Sequence, residues 1–264
     1  MAHALVFDSG VGGLSVVEEL RKIAPDLYLS YVADDEFRPY GDKTEAQLKS
    51  RLPGLLQTLC LMLKPDIIVM ACNTASTTAL AEIRDAVSVP VVGVVPAIKP
   101  AAEQSQTKTI AVLGTPGTVR RRYVDQLIAD FASGCDVRLH GSTELVNLAE
   151  QKLSGTEIMI ASVQSEIAPL FAGKTGASLD TIVLACTHFP LLQNELAAAS
   201  PKNVTWIDSG NAIARRTLSI LQGLKHTKIP SHPATAFLIG GQANFEREVM
   251  FKTFGFEKVV TLKA

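Results

Sequence analysis

The sequence predicts an α/β protein of two similar lobes, each a mostly parallel sheet flanked by helices, with an active site in the cleft between them. Three observations carry that prediction. Short apolar runs alternate with helical patterns along the chain, as βαβ units require. The pattern restarts at "TIAVLGTPGTV", from Thr109. One strand is also written twice: "DIIVMACNT" (Asp66 to Thr74) and "DTIVLACTH" (Asp180 to His188) agree at Asp, Ile, Val, Ala and Cys.

In the first half, "HALVFDS" reads as strand then loop, and "GLSVVEELRKIAP" as a helix closed by Pro25. "LYLSYVAD" is a second strand. "TEAQLKSRLPGLLQTLCLMLK" is a helical region in which Pro53 should introduce a kink or break. "DIIVMAC" is the third strand, "TTALAEIRDAV" its helix and "VPVVGVV" the fourth strand. In the second half, "TIAVLG" is followed by small residues and a helix through Tyr123 and Leu127. "DVRLHGS" is a strand, "TEIMIASVQSEIAPLF" a helix and "DTIVLAC" the repeated strand. "VTWIDSGNAIARRTL" then runs from strand to helix, and "TAFLIGG" is the expected last strand. These elements place residues 1–97 in one lobe and 98–207 in the other. Residues 208–264, too few for a sheet of their own, are expected to return to the first.

With 264 residues, 47% hydrophobic and 19% charged, the chain has ample material for packed cores and does not resemble a disordered segment. Its net charge is −1, and Lys and Arg concentrate nowhere beyond Arg120 to Arg122, so no nucleic-acid partner is expected. Mean hydropathy is +0.22, yet no apolar run reaches the roughly 20 residues of a membrane helix. No basic n-region or cleavage site opens the chain, and a cytoplasmic location is expected. Four cysteines, Cys60, Cys72, Cys135 and Cys186, form no CxxC pair and read as free thiols. Cys60 lies in an apolar helical stripe and Cys135 in a loop; neither is a candidate for chemistry.

In a parallel sheet, ligands bind beyond the carboxyl ends of the strands. Four motifs stand there: "FDSGVGG" with Asp8 and Ser9, "RPYG" with Tyr40 and Gly41, "ACNT" with Cys72, Asn73 and Thr74, and "ACTH" with Cys186, Thr187 and His188. Each has a plain reading as a cap, turn or buried thiol. "DSGVGG" lacks both the third spaced glycine of a dinucleotide loop and the Lys-Ser/Thr of a P-loop. Cys72, Cys186, His188 and Asp8 could supply four metal ligands, but without zinc-like spacing; no metal is expected. Both cysteines are expected immediately before helix N-termini, which lower a thiol's pKa and hold carboxylates. Two thiols facing one carbon from opposite sides could remove a proton from one face and deliver one to the other, inverting a stereocentre. Hydrolysis or acyl transfer needs no second, mirrored thiol.

"FDSGVGGLSV", "RPYG", "ACNTAS", "LACTHFPLL" and "IDSGNAIA" together resemble the glutamate racemases, over nearly the whole chain. The resemblance implies cofactor-independent interconversion of L- and D-glutamate for peptidoglycan synthesis, and two similar α/β lobes closing over the substrate. It implies that Cys72 and Cys186 are the paired bases, Cys72 acting on the D-enantiomer and Cys186 on the L-enantiomer. Asp8 would assist Cys72 and His188 would assist Cys186, with Glu150 of "LVNLAEQ" a further helper. Asp8, Ser9, Tyr40, Gly41, Asn73, Thr74, Thr187 and His188 would hold the substrate. In "ADDEFRPYG" the arginine, Arg38, is displaced by one position from the family pattern, and no role carries over to it. A homodimer is compatible with the sequence. Rival readings are an aspartate or hydantoin racemase, a one-cysteine decarboxylase, and a two-lobed amino-acid sensor without turnover; the pair of cysteines argues against the last two.

Overall fold

The structure, a computed structural model, describes residues 2–224 and 233–263. The chain forms two compact units, Met1–Val94 with Gly210–Ala264, and Val95–Ser209. The first contains β1 (His3–Asp8), α1 (Leu14–Ile23), β2 (Tyr28–Ala33), α2 (Glu45–Leu63), β3 (Ile67–Met70), α3 (Asn73–Ala86) and β4 (Val91–Gly93). The second contains α4 (Ile98–Gln104), β5 (Thr109–Gly114), α5 (Pro116–Val119), α6 (Arg122–Phe131), β6 (Asp136–Gly141), α7 (Glu144–Leu153), α8 (Ile160–Ile167), α9 (Gly173–Ser178), β7 (Thr181–Ala185), α10 (Gln193–Ala199) and β8 (Thr205–Ile207). The chain then adds α11 (Gly210–Leu221), β9 (Thr235–Ile239), α12 (Phe245–Thr253) and β10 (Lys258–Leu262) to the first unit.

The first sheet has the order β10-β9-β2-β1-β3-β4 and the second β6-β5-β7-β8. Every strand pairing among the described residues is parallel. β1, β3, β5 and β7 are buried along their whole lengths. That is why they read as continuous apolar runs and not as alternating ones: helices cover both faces.

Three local expectations change. Pro53 neither breaks nor ends α2, which runs unbroken from a Thr44–Gln47 capping box to Leu63. Leu48, Leu52, Leu56, Leu59 and Leu63 form its buried stripe. Burying them contributes roughly 1.5–3 kcal/mol each, which outweighs the ~3 kcal/mol an interior proline costs. "TEIMIASVQSEIAPLF" is helical only from Ile160 and passes into a 3-10 turn, Ala168–Phe171, at Pro169. Lastly, β9 is not the final strand. β10 follows it as an edge strand opened by Lys258 and largely solvent-facing, unlike the buried inner strands.

Candidate active site

In the first unit β1, β2 and β3 are parallel neighbours in the order β2-β1-β3, so the residues that leave them lie along one edge of the sheet. Asp8 ends β1. Its Oδ1 accepts the Ser9 N–H at 2.6 Å and the Ser9 hydroxyl at 3.2 Å, and its Oδ2 accepts the Gly13 N–H. The Ser9 hydroxyl lies 3.7 Å from Cys72 Sγ. Cys72, in extended conformation, is the N-cap of the 14-residue α3, so its sulfur stands at the positive end of a full helix dipole. Asp8, Ser9 and Cys72 are thus one hydrogen-bonded group.

Asn73 and Thr74 form the first turn of α3 and are buried. The Asn73 Oδ1 has no hydrogen-bond partner among the described residues, and a buried polar atom of that kind calls for a ligand or water. Tyr40 is buried too, but its hydroxyl donates to Asp34 Oδ2 at 2.6 Å. What the Tyr40–Gly41 turn offers a ligand is therefore its backbone. Burial, with the nearby Asp34 carboxylate, holds the Tyr40 phenol well above its ordinary pKa. Tyr31 is raised in the same way, first by burial and then by Asp8, and its hydroxyl donates to Gly10 O at 2.9 Å, bracing the loop after β1. Arg38 pairs with Asp35 at 3.5 Å, while Arg51 of α2 forks onto Asp34. Neither Tyr31 nor Arg51 stands out in the sequence. Each belongs to an ordinary strand or helix pattern, and only its tertiary partner marks it.

In the second unit Cys186 follows β7 directly and is buried. The expected helix start is absent here. The chain turns through Thr187 and His188 into a four-residue 3-10 helix, Phe189–Leu192, and α10 begins only at Gln193. Pro190 occupies the start of that turn, and one 3-10 turn aligns too few peptide dipoles to match the end of α3. The group beside Cys186 is an imidazole: His188 Nδ1 lies 3.8 Å from Cys186 Sγ. On the other side of the ring, His188 Nε2 is 3.5 Å from Glu150 Oε1 of α7. Lys152, two residues along α7, donates to Leu191 O at 2.9 Å and pairs with Glu195 at 2.7 Å, pinning α7 to the segment after His188. Cys186, His188 and Glu150 are brought into line.

The remaining thiols are set apart. Burial pushes Cys60 up to about 11, so it stays protonated at neutral pH. Cys135 is half-buried against the apolar residues around β5. No three His, Cys, Asp or Glu side chains among the described residues converge as a metal site would require, and no helix among them is long and apolar enough to cross a membrane. A groove of about 830 Å³ between α2 and the β9–β10 edge, lined by Phe37, Leu55, Met62 and Leu262, contains neither Cys72 nor Cys186.

Residues 14–217 match the Asp/Glu/Hydantoin racemase family. A glutamate racemase of Brucella anthropi is 49% identical over 219 residues, covering 83% of this chain and 79% of that one. One from Shewanella woodyi is 46% identical over 218 residues, covering 83% and 80%. Among solved structures, Escherichia coli glutamate racemase in complex with L-glutamate and the activator UDP-MurNAc-Ala superposes with a TM-score of 0.92 at 40% identity, over 99% of this chain and 98% of that one.

Proposed function

The chain belongs to the Asp/Glu/Hydantoin racemase family and is an amino-acid racemase, and from that premise we propose that its substrate is glutamate, racemised by two thiols acting from opposite faces. The observation that carries the reading is that each strand-exit cysteine has its own polar helper, Ser9 with Asp8 for Cys72 and His188 with Glu150 for Cys186. The identity to glutamate racemases across four-fifths of their length favours glutamate over aspartate or a hydantoin.

Going from L to D, the Cys186 thiolate takes the α-proton while the Cys72 thiol gives its own proton to the far face. The reverse direction exchanges the two roles. Glu150 beside Nε2 favours the tautomer with its proton on that nitrogen, which leaves Nδ1 as the acceptor facing Cys186. His188 can then draw off the thiol proton. At the other thiol, Asp8 orders Ser9, whose hydroxyl faces the sulfur, and the α3 dipole supports the thiolate. Asn73, Thr74, Thr187 and the Tyr40–Gly41 backbone would hold the two carboxylates and the ammonium group.

Proton abstraction beside a carboxylate commonly draws on pyridoxal phosphate held by a Schiff-base lysine. None of the four strand-end motifs contains a lysine, and the reading assigns no cofactor. D-glutamate made this way would feed peptidoglycan synthesis in the cytoplasm. The test is conversion of L- to D-glutamate, followed by circular dichroism, after exhaustive dialysis against chelator. In deuterium oxide at early conversion, the D-glutamate formed should carry α-deuterium while the residual L-glutamate stays largely protonated. Activity that disappears on dialysis and returns with pyridoxal phosphate or a metal would refute the cofactor-free reading, and equal early label in both enantiomers would refute the two-base scheme.

A further inference from the structure

The Tyr40–Gly41 contact rests on a turn with little structure of its own. It is a three-residue 3-10 helix, Tyr40–Asp42, closed by the Lys43 N–H on Tyr40 O at 3.1 Å and the Asp42 N–H on Pro39 O at 3.3 Å. Such a short piece takes its position from side-chain anchoring. The anchor is Tyr40, whose buried hydroxyl donates to Asp34 Oδ2.

Asp34 is itself fully buried, and an unpaired carboxylate at that depth would be strongly disfavoured. Arg51, from the second turn of α2, supplies the pairing. Its Nε donates to Oδ2 at 2.7 Å and its Nη2 to Oδ1 at 2.6 Å, a two-pronged fork onto one carboxylate. The same guanidinium reaches Glu36 at 2.9 Å and lies over the Phe37 ring, 4.9 Å from its centroid. The main chain completes the link, because the Asp34 N–H donates to Asp8 O at 3.0 Å. Asp34 thus joins the end of β1, where Asp8 orders Ser9, to the turn that carries Tyr40.

We propose that Arg51 is a positioning residue for substrate binding: by pairing with the buried Asp34 carboxylate it fixes the Tyr40 ring, and so holds the Tyr40–Gly41 backbone where a substrate carboxylate is bound. This rests on the reading of Tyr40–Gly41 as a substrate contact. Arg51 touches neither thiol's proton path, so its loss falls on KM and leaves kcat nearly intact. One turn serves both enantiomers, so both KM values rise together. Lysine keeps a charge but not the fork, and should restore only part of the effect.

The experiment is steady-state kinetics in both directions, with thermal melts, on wild type, Arg51→Gln, Arg51→Lys, Tyr40→Phe and the Arg51→Gln/Tyr40→Phe double variant. Arg51→Gln should raise both KM values about tenfold or more while kcat stays within about threefold. Arg51→Lys should fall between it and wild type. The double variant should show less than the product of the single effects, since both act through Asp34. Should Arg51→Gln fail to fold, Arg51→Lys and Tyr40→Phe carry the same test through the KM-against-kcat split. A KM within about twofold of wild type in the folded variants, a loss confined to kcat, or multiplicative effects in the double variant would overturn the proposal. Wild-type protein that does not racemise glutamate would instead overturn the parent reading, and this one with it.

Discussion

Replacing Gly13 by alanine adds one methyl group at a crowded point of the loop after β1. A Cβ built there would lie 2.9 Å from Ala71 Cβ, 2.9 Å from the Tyr31 hydroxyl and 3.0 Å from Asp8 Cβ. Carbon atoms pack comfortably at about 3.5–4.0 Å, so the walls would have to open by roughly half an ångström or more. They are poorly placed to do so. The Ala71 N–H is bonded to Phe7 O, the Tyr31 hydroxyl holds Gly10 O, and Asp8 ends a buried strand. The Gly13 backbone, at φ −61 and ψ −8, is one that alanine adopts freely, so the cost is steric and not conformational.

Overpacking of this kind costs about 1–3 kcal/mol, or about 2–12 °C in melting temperature for a domain of this size. Asp8 must also shift, because Gly13 is both one of its hydrogen-bond donors and its neighbour. If Asp8 orders Ser9 beside Cys72 as proposed, displacing it by a fraction of an ångström should lower kcat/KM about 10–100-fold. Gly54→Ala is the matched control. A Cβ there meets nothing within 4 Å, and the residue sits on the exposed side of α2, so alanine's helix preference should stabilise by up to about 1 kcal/mol. Turnover should be unchanged. Melts by far-ultraviolet circular dichroism, paired with a racemase assay, read both effects. A Gly13→Ala protein that melts at or above wild type, or turns over normally, would refute the account of how Asp8 is held.

Cys72→Ser and Cys186→Ser should each abolish most racemisation, because an alcohol, unlike a thiol of pKa about 8.5, does not ionise near neutral pH to supply a base, and each should leave the melting temperature near wild type; near-normal turnover in either variant would show that its cysteine is structural. Asp180 is affected by burial, which raises its pKa, but donors from Thr107, Ser105 and Thr181 prevail and bring it to about 2, below the ordinary 3.8. Its folded pKa is depressed, so its stabilising effect is complete above about pH 4 and is lost as pH falls towards about 2. The melting curves of wild type and Asp180→Asn should therefore differ at neutral pH and converge near pH 2; a gap that persists there would locate the effect elsewhere.

Much of this architecture was legible because the decisive signals are local. The inner strands are short apolar runs, and Asp8, Ser9, Cys72 and Cys186 directly follow or end such runs, so the same few residues mark both the strands and the candidate site. What escaped was set by partners far along the chain. Pro53 sits in a continuous helix because five leucines of α2 are buried. β10 is a short, largely exposed edge strand beyond β9, placed by its pairing with β9. Arg51 gains its role from Asp34, 17 residues earlier, and Lys152 from Leu191, 39 residues later. The turn after Cys186 was misjudged because its likeness to "ACNT" is a likeness of residues, while Pro190 imposes a different backbone.

The repeated strand has a structural half as well as a chemical one. At its head, Asp66 accepts the His3 N–H at 2.8 Å, at the entry to β1. Asp180 accepts the Gln106 and Thr107 N–H groups, both at 2.9 Å, just before β5. Each carboxylate grips the chain entering the neighbouring strand, and the registers agree: Ala4 pairs with Ile67, and Ile110 with the equivalent Thr181. Carried along the strands, that shared register brings Cys72 beside Ser9 and Cys186 beside Thr115. The position matching Asp8 is then Gly114, where a Cβ would already press on Val119 at 3.2 Å and on the Ala185 carbonyl at 3.4 Å. The group beside the second thiol comes instead from its own loop, two residues on at His188, with Glu150 behind it. The same strand carries both cysteines, but glycine stands where Asp8 stands in the first unit, and the side chains beside the two thiols differ accordingly, Ser9 for Cys72 and His188 for Cys186.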